Sequence, residues 1–97
     1  MIEINFVKNY LKVDFTEDDE LINMLIDISK GYVETEIGKK LSDFEEIPKQ
    51  IELAMLLLIS YWYEERTAMS VVKNKTLSTE VKYGVSSILN PFKIRQL

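Results

Sequence analysis

The segment from Ile51 to Tyr63 constrains the fold more than any other part of this sequence, because it is apolar on nearly every side of a helix. Pro48 suits the first position of such a helix, where its missing N–H is not needed. We therefore predict a helix from about Pro48 to Thr67. A helix that is apolar all round is buried on more than one side. Either the last segment of the chain or a neighbouring subunit must therefore cover part of it.

Two further helices are predicted before this central one. A short helix is predicted from Ile4 to Leu11, and a long one from about Glu17 to Ile37. Thr16 is the expected N-cap of the long helix, and Gly38 is its expected left-handed C-cap. The apolar side of the short helix is expected to comprise Ile4, Phe6, Val7, Tyr10 and Leu11. The apolar stripes of the long helix are expected to comprise Leu21, Leu25, Ile28 and Tyr32 beside Ile22, Ile26, Val33 and Ile37.

The helical pattern ends after Arg66. Thr76 to Tyr83 is rich in β-favouring residues, so an extended loop or a short β arm is predicted at about residues 67–83. Val85 to Leu89 predict a short last helix that ends before Pro91. The predicted fold class is all-α: a small helical bundle of two long helices with short N- and C-terminal helices. With 97 residues, the chain is expected to form a single domain over residues 1–97.

The chain has no cysteine and no histidine. Disulfides, cysteine zinc sites and imidazole acid–base chemistry are therefore excluded. The acidic residues at positions 17–20 lack the alternating ligands and the glycine of a calcium loop, and they suit a helix N-terminus. Glu64 and Glu65 point about 100° apart on a helix and cannot easily share a substrate. We therefore expect no catalytic residue, no metal and no cofactor, and we expect that the chain is not an enzyme.

Charge is distributed unevenly along the chain. Residues 1–65 contain 15 acidic and 6 basic residues, a net charge of −9, whereas residues 66–97 carry a net charge of +5. The basic third is interpreted in three ways: as a solvated tail, as a nucleic-acid contact, or as a head-to-tail contact with the acidic part of another copy.

The sequence gives no indication of a membrane protein. Its longest apolar run, Leu53 to Ile59, is far shorter than the roughly 18 residues of a membrane span. The first eleven residues lack the basic start and the continuous apolar stretch of a signal peptide. No membrane contact is expected.

Three blocks, in order, resemble the phage head–tail connector (adaptor) proteins of long-tailed phages and prophages. The first is YLKVDFTEDDELINMLIDISKGYVETEIGKKL (Tyr10 to Leu41), similar to the opening helices of that family. The second is IPKQIELAMLLLISYWYEER (Ile47 to Arg66), similar to its central helix with a Tyr-acidic-Arg ending. The third is YGVSSILNPFKI (Tyr83 to Ile94), similar to its closing element. Residues 67–82 do not align.

The resemblance implies a structural protein, in a family also labelled DNA-packaging proteins. It implies a ring of copies under the portal protein that extends the DNA channel, which DNA passes without sequence-specific binding. The ring would also bind the next head-completion or tail protein. The expected location is the head–tail junction of the virion, after synthesis in the cytoplasm of the bacterial host. The residues predicted to contact a neighbouring subunit or the portal are Trp62, Tyr63, Glu65, Arg66, Lys73, Lys75, Val85, Leu89, Pro91 and Phe92.

Two other functions are weighed against this one. A small helical DNA-binding regulatory protein would need an exposed recognition helix, whereas both long helices here are acidic or apolar. A carboxylate-dependent nuclease would depend on Glu64 and Glu65, whose spacing is unfavourable. The regulatory protein remains the alternative to the connector.

Overall fold

The structure is a computed structural model that describes residues 2–65 and 79–94. These residues form four α-helices, with 3-10 turns at Leu41–Asp43 and Asn90–Phe92. No β-strand occurs within the described residues, which confirms the predicted all-α helical bundle. The α-helices are α1 (Ile4–Leu11), α2 (Asp19–Ile37), α3 (Lys49–Glu64) and α4 (Thr79–Leu89).

Helix α3 is the centre of the bundle. It packs against α2 on one side and α4 on another, and α1 contacts both α2 and α3. The side chains of Ile51, Ala54, Leu58 and Ile59 are completely buried. The prediction that the apolar helix is covered on more than one side is thus confirmed, and α4 is the later segment that covers it.

The C-terminal end of α2 matches its prediction, but its start does not. Gly38 adopts a left-handed conformation with φ of 75° and donates its backbone N–H to the carbonyl of Glu34. The prediction of Thr16 as the N-cap is wrong. The helix begins at Asp19, and residues 17–18 form a turn before it. The carbonyl of Thr16 accepts the backbone N–H of Asp19 at 3.1 Å, and no side-chain cap is made.

Helix α1 has the predicted bounds but a narrower buried face. Val7 is completely buried, whereas Phe6 and Tyr10 are 52% and 45% exposed, so including these aromatics in the apolar face was wrong. An eight-residue helix resting on its neighbours with one side cannot bury both its Val7 side and its Phe6–Tyr10 side. Lys12 then ends the helix in a left-handed conformation with φ of 62°.

The largest correction concerns the arm predicted at residues 67–83. Residues 79–83 are the first turns of α4 and not part of a loop or strand, while residues 67–78 lie outside the described part. The helix places Val81, Val85 and Leu89 on one side against the core. This packing outweighs the β propensity of the individual residues, because tertiary contacts decide such weak preferences. Helix α3 is also shorter than predicted, since it ends at Glu64.

Candidate functional site

The C-terminal end of α3 is held by its aromatic residues. Trp62 and Tyr63 are each only 8% exposed. The ring of Trp62 meets Tyr32 edge to face, with 6.2 Å between the ring centres. The hydroxyl of Tyr63 donates to Oδ2 of Asp18 at 2.6 Å. Burial, with a smaller contribution from the nearby Glu36 carboxylate, raises the pKa of Tyr32. Trp62 and Tyr63 therefore contribute to the fold, and little of either side chain is accessible to a partner.

The predicted contact residues of the last helix also lie inside the chain. Val85 and Leu89 are completely buried in the shared core. Their side chains therefore present no surface to another subunit, because the chain's own helices cover them. Pro91 is exposed and Phe92 is half-buried on the 3-10 turn that follows.

Of the remaining predicted contact residues, only Glu65 belongs to the described part of the chain. Glu65 is exposed directly after α3. Arg66, Lys73 and Lys75 lie outside the described residues.

The end of α3 and the tail after α4 both contain predicted contact residues, and they lie at opposite ends of α2. The Tyr63–Asp18 hydrogen bond puts the end of α3 at the start of α2. The backbone N–H of Ile94 donates to the carbonyl of Ile37 at 2.9 Å, so the tail after α4 lies at the other end. Helix α2 spans about 27 Å between these contacts, at 1.5 Å per residue. The chain thus presents two separate ends and not one contact site.

Two exposed apolar residues on α2 were not predicted from the sequence. Met24 and Ile28 are 58% and 46% exposed, and Gly31 and Thr35 continue the same line toward the end of the helix. Ile28, which the periodicity groups with Leu21, Leu25 and Tyr32, is therefore the exposed member of that stripe. The spacing i, i+4, i+7, i+11 shows that these residues share one side. Because that spacing is common to core and surface stripes, it did not reveal which way this one faces.

The surface of α4 bears one strongly exposed aromatic. Tyr83 is 77% exposed, the largest value among the exposed hydrophobic residues of the described part. Lys82 beside it is exposed as well. Tyr83 points away from the side of α4 that carries Val85 and Leu89, so its ring does not contribute to the core. The ring of Tyr83 is therefore accessible to solvent.

A shallow apolar groove runs between α3 and α4. It has a volume of about 260 Å³ and is lined by Leu57, Glu80, Val81 and Gly84. A Cβ atom added to Gly84 would meet nothing within 4 Å, so the groove is open there. Leu53, one turn before Leu57, is 44% exposed.

Among residues 2–65 and 79–94, no group of three or more acidic side chains is placed to hold a metal ion. No helix in this part of the chain is long and apolar enough to cross a membrane.

Comparison with known protein families gives a match over nearly the whole chain. The sequence model of one family, described as phage gp6-like head-tail connector protein, matches residues 1–93. No curated protein and no solved structure gives a match. The match spans nearly the whole chain and confirms the family to which the three sequence blocks pointed. The chain belongs to the phage gp6-like head-tail connector family.

Proposed function

We propose that this chain forms a ring that docks under the portal protein, extends the DNA channel and binds the next head-completion or tail protein. Membership of the connector family assigns it a structural role in the phage particle and contacts with other phage head and tail proteins. The family match over residues 1–93 is the observation that carries the proposal. Assembly as a ring, the portal as partner and passage of DNA are the proposed steps beyond it.

The two separate ends of the chain support an adaptor role. An adaptor must contact one partner above and another below, which requires two surfaces that do not overlap. Glu65 lies at the end of the bundle where Tyr63 meets Asp18, whereas Pro91, Phe92 and Ile94 lie at the other. We assign the portal contact to one of these ends and the contact with the next protein to the other.

The charge of the long helix supports passage of DNA without retention. Helix α2 carries five acidic residues and one lysine. Carboxylates repel the phosphate backbone, whereas proteins that hold DNA neutralise phosphates with Lys and Arg. A channel lined mainly by such surfaces would guide DNA and release it. On this proposal the protein is made in the host cytoplasm and resides at the head–tail junction of the virion.

Imaging of the protein mixed with a portal protein from the same phage tests the proposal. Negative-stain electron microscopy is expected to show an extra ring of density on the portal axis, absent from portal alone. Only free monomers and undecorated portals, at saturating concentrations of the chain, would contradict it. Size-exclusion chromatography of the mixture supplies an independent measure of docking.

The basic C-terminal third favours one alternative, a small helical DNA-binding regulatory protein. Residues 66–97 carry a net charge of +5, and a basic segment neutralises phosphates. Such a protein would bind duplex DNA with an affinity that falls steeply as salt rises. Fluorescence anisotropy with labelled duplex, over a salt series, distinguishes the two. The connector proposal expects no sequence-dependent binding.

A further inference from the structure

Helix α4 contains several residues that disfavour a helix in isolation. Its eleven residues include Gly84 and the β-branched Thr79, Val81 and Val85. Glycine and β-branched residues lower helix propensity. Isolated helices shorter than about 12–15 residues are marginal in water even with favourable sequences. Helix α4 therefore depends on packing against the rest of the chain, so that its undocking and its unfolding are one event.

The first anchor of α4 is its apolar side. Val85 and Leu89 are completely buried, and Val81 packs against the core. Val81 also lines one groove with Leu57 of α3. These contacts cover part of the apolar surface of α3, so the undocking of α4 would expose that surface.

The second anchor of α4 is the pair of residues Lys93 and Ile94, which we call the strap. The strap follows α4 directly after the 3-10 turn at Asn90–Phe92. The backbone N–H of Ile94 donates to the carbonyl of Ile37 at 2.9 Å. Nζ of Lys93 lies 3.7 Å from Oε1 of Glu36. The strap thus ties the end of α4 to the last turn of α2.

The backbone hydrogen bond is the stronger polar contact of the strap. The last carbonyls of an α-helix have no partner within the helix, and the carbonyl of Ile37 accepts the N–H of Ile94 instead. The side chains of Lys93 and Glu36 are 32% and 36% exposed, and an ion pair at the surface contributes little. The polar hold of the strap on α2 therefore rests mainly on one hydrogen bond between main-chain atoms.

We propose that the strap is a conformational switch for α4. With the bond between Ile94 and Ile37 in place, α4 is docked and helical. Without that bond, α4 undocks and unfolds more often, as one unit, while α1 and the first turns of α2 stay folded. Proteins open locally in such units, and the elements with the fewest anchors open first. This inference goes beyond the proposed connector function and does not depend on it.

Hydrogen–deuterium exchange of the full chain, read by mass spectrometry, tests the switch with two variants at one position. Ile94→Pro removes the N–H, and Lys93 already has ψ of 135°, the extended conformation favoured before a proline. Ile94→Ala keeps the N–H and shortens a side chain that is 55% exposed. We expect Ile94→Pro to speed exchange in α4 by roughly two- to tenfold, the effect of one lost hydrogen bond. Exchange in α1 and in Ile94→Ala should stay close to that of the wild type.

Three results would overturn the switch. One is unchanged exchange in α4 of Ile94→Pro. Another is an equal increase in all four helices, or a chain that unfolds altogether, because the bond would then support the whole bundle and not α4 in particular. The third is an equal increase in α4 of Ile94→Ala, which would assign the effect to the side chain.

A rescue variant tests whether undocking and unfolding of α4 are one event. Gly84→Ala adds a better helix former at a position with open space for its Cβ atom. In the Ile94→Pro chain, this change should return exchange in α4 most of the way to the wild-type rate. Exchange in α4 that stays fast despite Gly84→Ala would show that helix formation and docking are separate, and would overturn the proposal.

Discussion

The hydroxyl of Tyr63 lies 2.6 Å from Oδ2 of Asp18, a contact between residues 45 positions apart in the sequence. It joins the last turn of α3 to the turn that precedes α2. Asp18 makes no side-chain cap to its own helix, and its carboxylate accepts the Tyr63 hydroxyl instead. This hydrogen bond and the edge-to-face contact between Trp62 and Tyr32 hold the end of the bundle that we assign to contact with a partner.

Removing this hydroxyl should loosen that end of the bundle. We expect Tyr63→Phe to lower the free energy of unfolding by about 1 kcal/mol, because a hydrogen bond to a carboxylate is lost at a partly buried site. Urea denaturation followed by circular dichroism measures the change. Tyr10→Phe is the control, since Tyr10 is 45% exposed on α1 and should show no change. A Tyr63→Phe variant as stable as the wild type would remove this contact from the account.

Two glycines are expected to respond in opposite directions to alanine. Gly38 has φ of 75°, so Gly38→Ala should destabilise the chain by about 1 kcal/mol. Gly84 lies within α4 and has open space at its Cβ position, so Gly84→Ala should stabilise it by about 0.5–1 kcal/mol. Thermal unfolding of both variants under one condition gives the comparison. Equal signs for the two changes would contradict the assigned helix bounds.

The central position of α3 predicts a strong contrast between two leucines on that helix. Leu58 is completely buried, so Leu58→Ala should cost about 2–5 kcal/mol through lost contacts and a cavity. Leu53 is 44% exposed, and Leu53→Ala should cost well under half as much. Chemical denaturation measures both variants. Similar losses at the two positions would contradict the burial of α3 between α2 and α4.

Gly31 is a weak point inside α2, because glycine is a poor helix former. Gly31→Gln places a better helix former at an exposed position with open space at Cβ, so the chain should gain about 0.5–1 kcal/mol of stability. Thermal unfolding of the variant beside the wild type measures the gain. A less stable variant would contradict the open surroundings of Gly31.

The sequence predicts α1 and the end of α2 because their signals are local. An i, i+3, i+7 pattern defines Ile4–Leu11, and a glycine that can adopt positive φ marks the end of α2. The start of α2 could not be predicted in the same way. Thr16 has the right residue type for a cap, but residue type alone does not place the start: the helix begins at Asp19, and the Asp18 carboxylate accepts a hydrogen bond from Tyr63, which is distant in the sequence.

The first turns of α4 and the orientation of Ile28 could not be predicted, for a related reason. Residues near Val81 have β-favouring side chains. Val81 packs against the core and lines one groove with Leu57 of α3, and this packing favours a helix there despite the propensity of the residues. On α2, Leu25 of the predicted stripe is buried, and Leu21 and Tyr32 pack against the core, whereas Ile28 of the same stripe is 46% exposed. Periodicity groups these residues on one side of the helix but does not show how far the core covers that side.

The choice of contact residues shows a similar limit of prediction from sequence. Val85 and Leu89 were predicted to contact a neighbour because they lie in the segment that resembles the closing element of the connector family. An apolar side chain that packs on its own chain has the same sequence signal as one that packs on a partner. Both residues are buried within one copy, whereas Tyr83, which was not among the predicted contact residues, is exposed.

Native mass spectrometry of the chain mixed with a portal protein from the same phage shows directly whether a connector ring forms. We expect one portal assembly carrying a single, defined number of copies of this chain, with few partly filled species at saturation. A spectrum that contains only bare portal and free monomer, at every ratio of the two proteins, would contradict the connector ring.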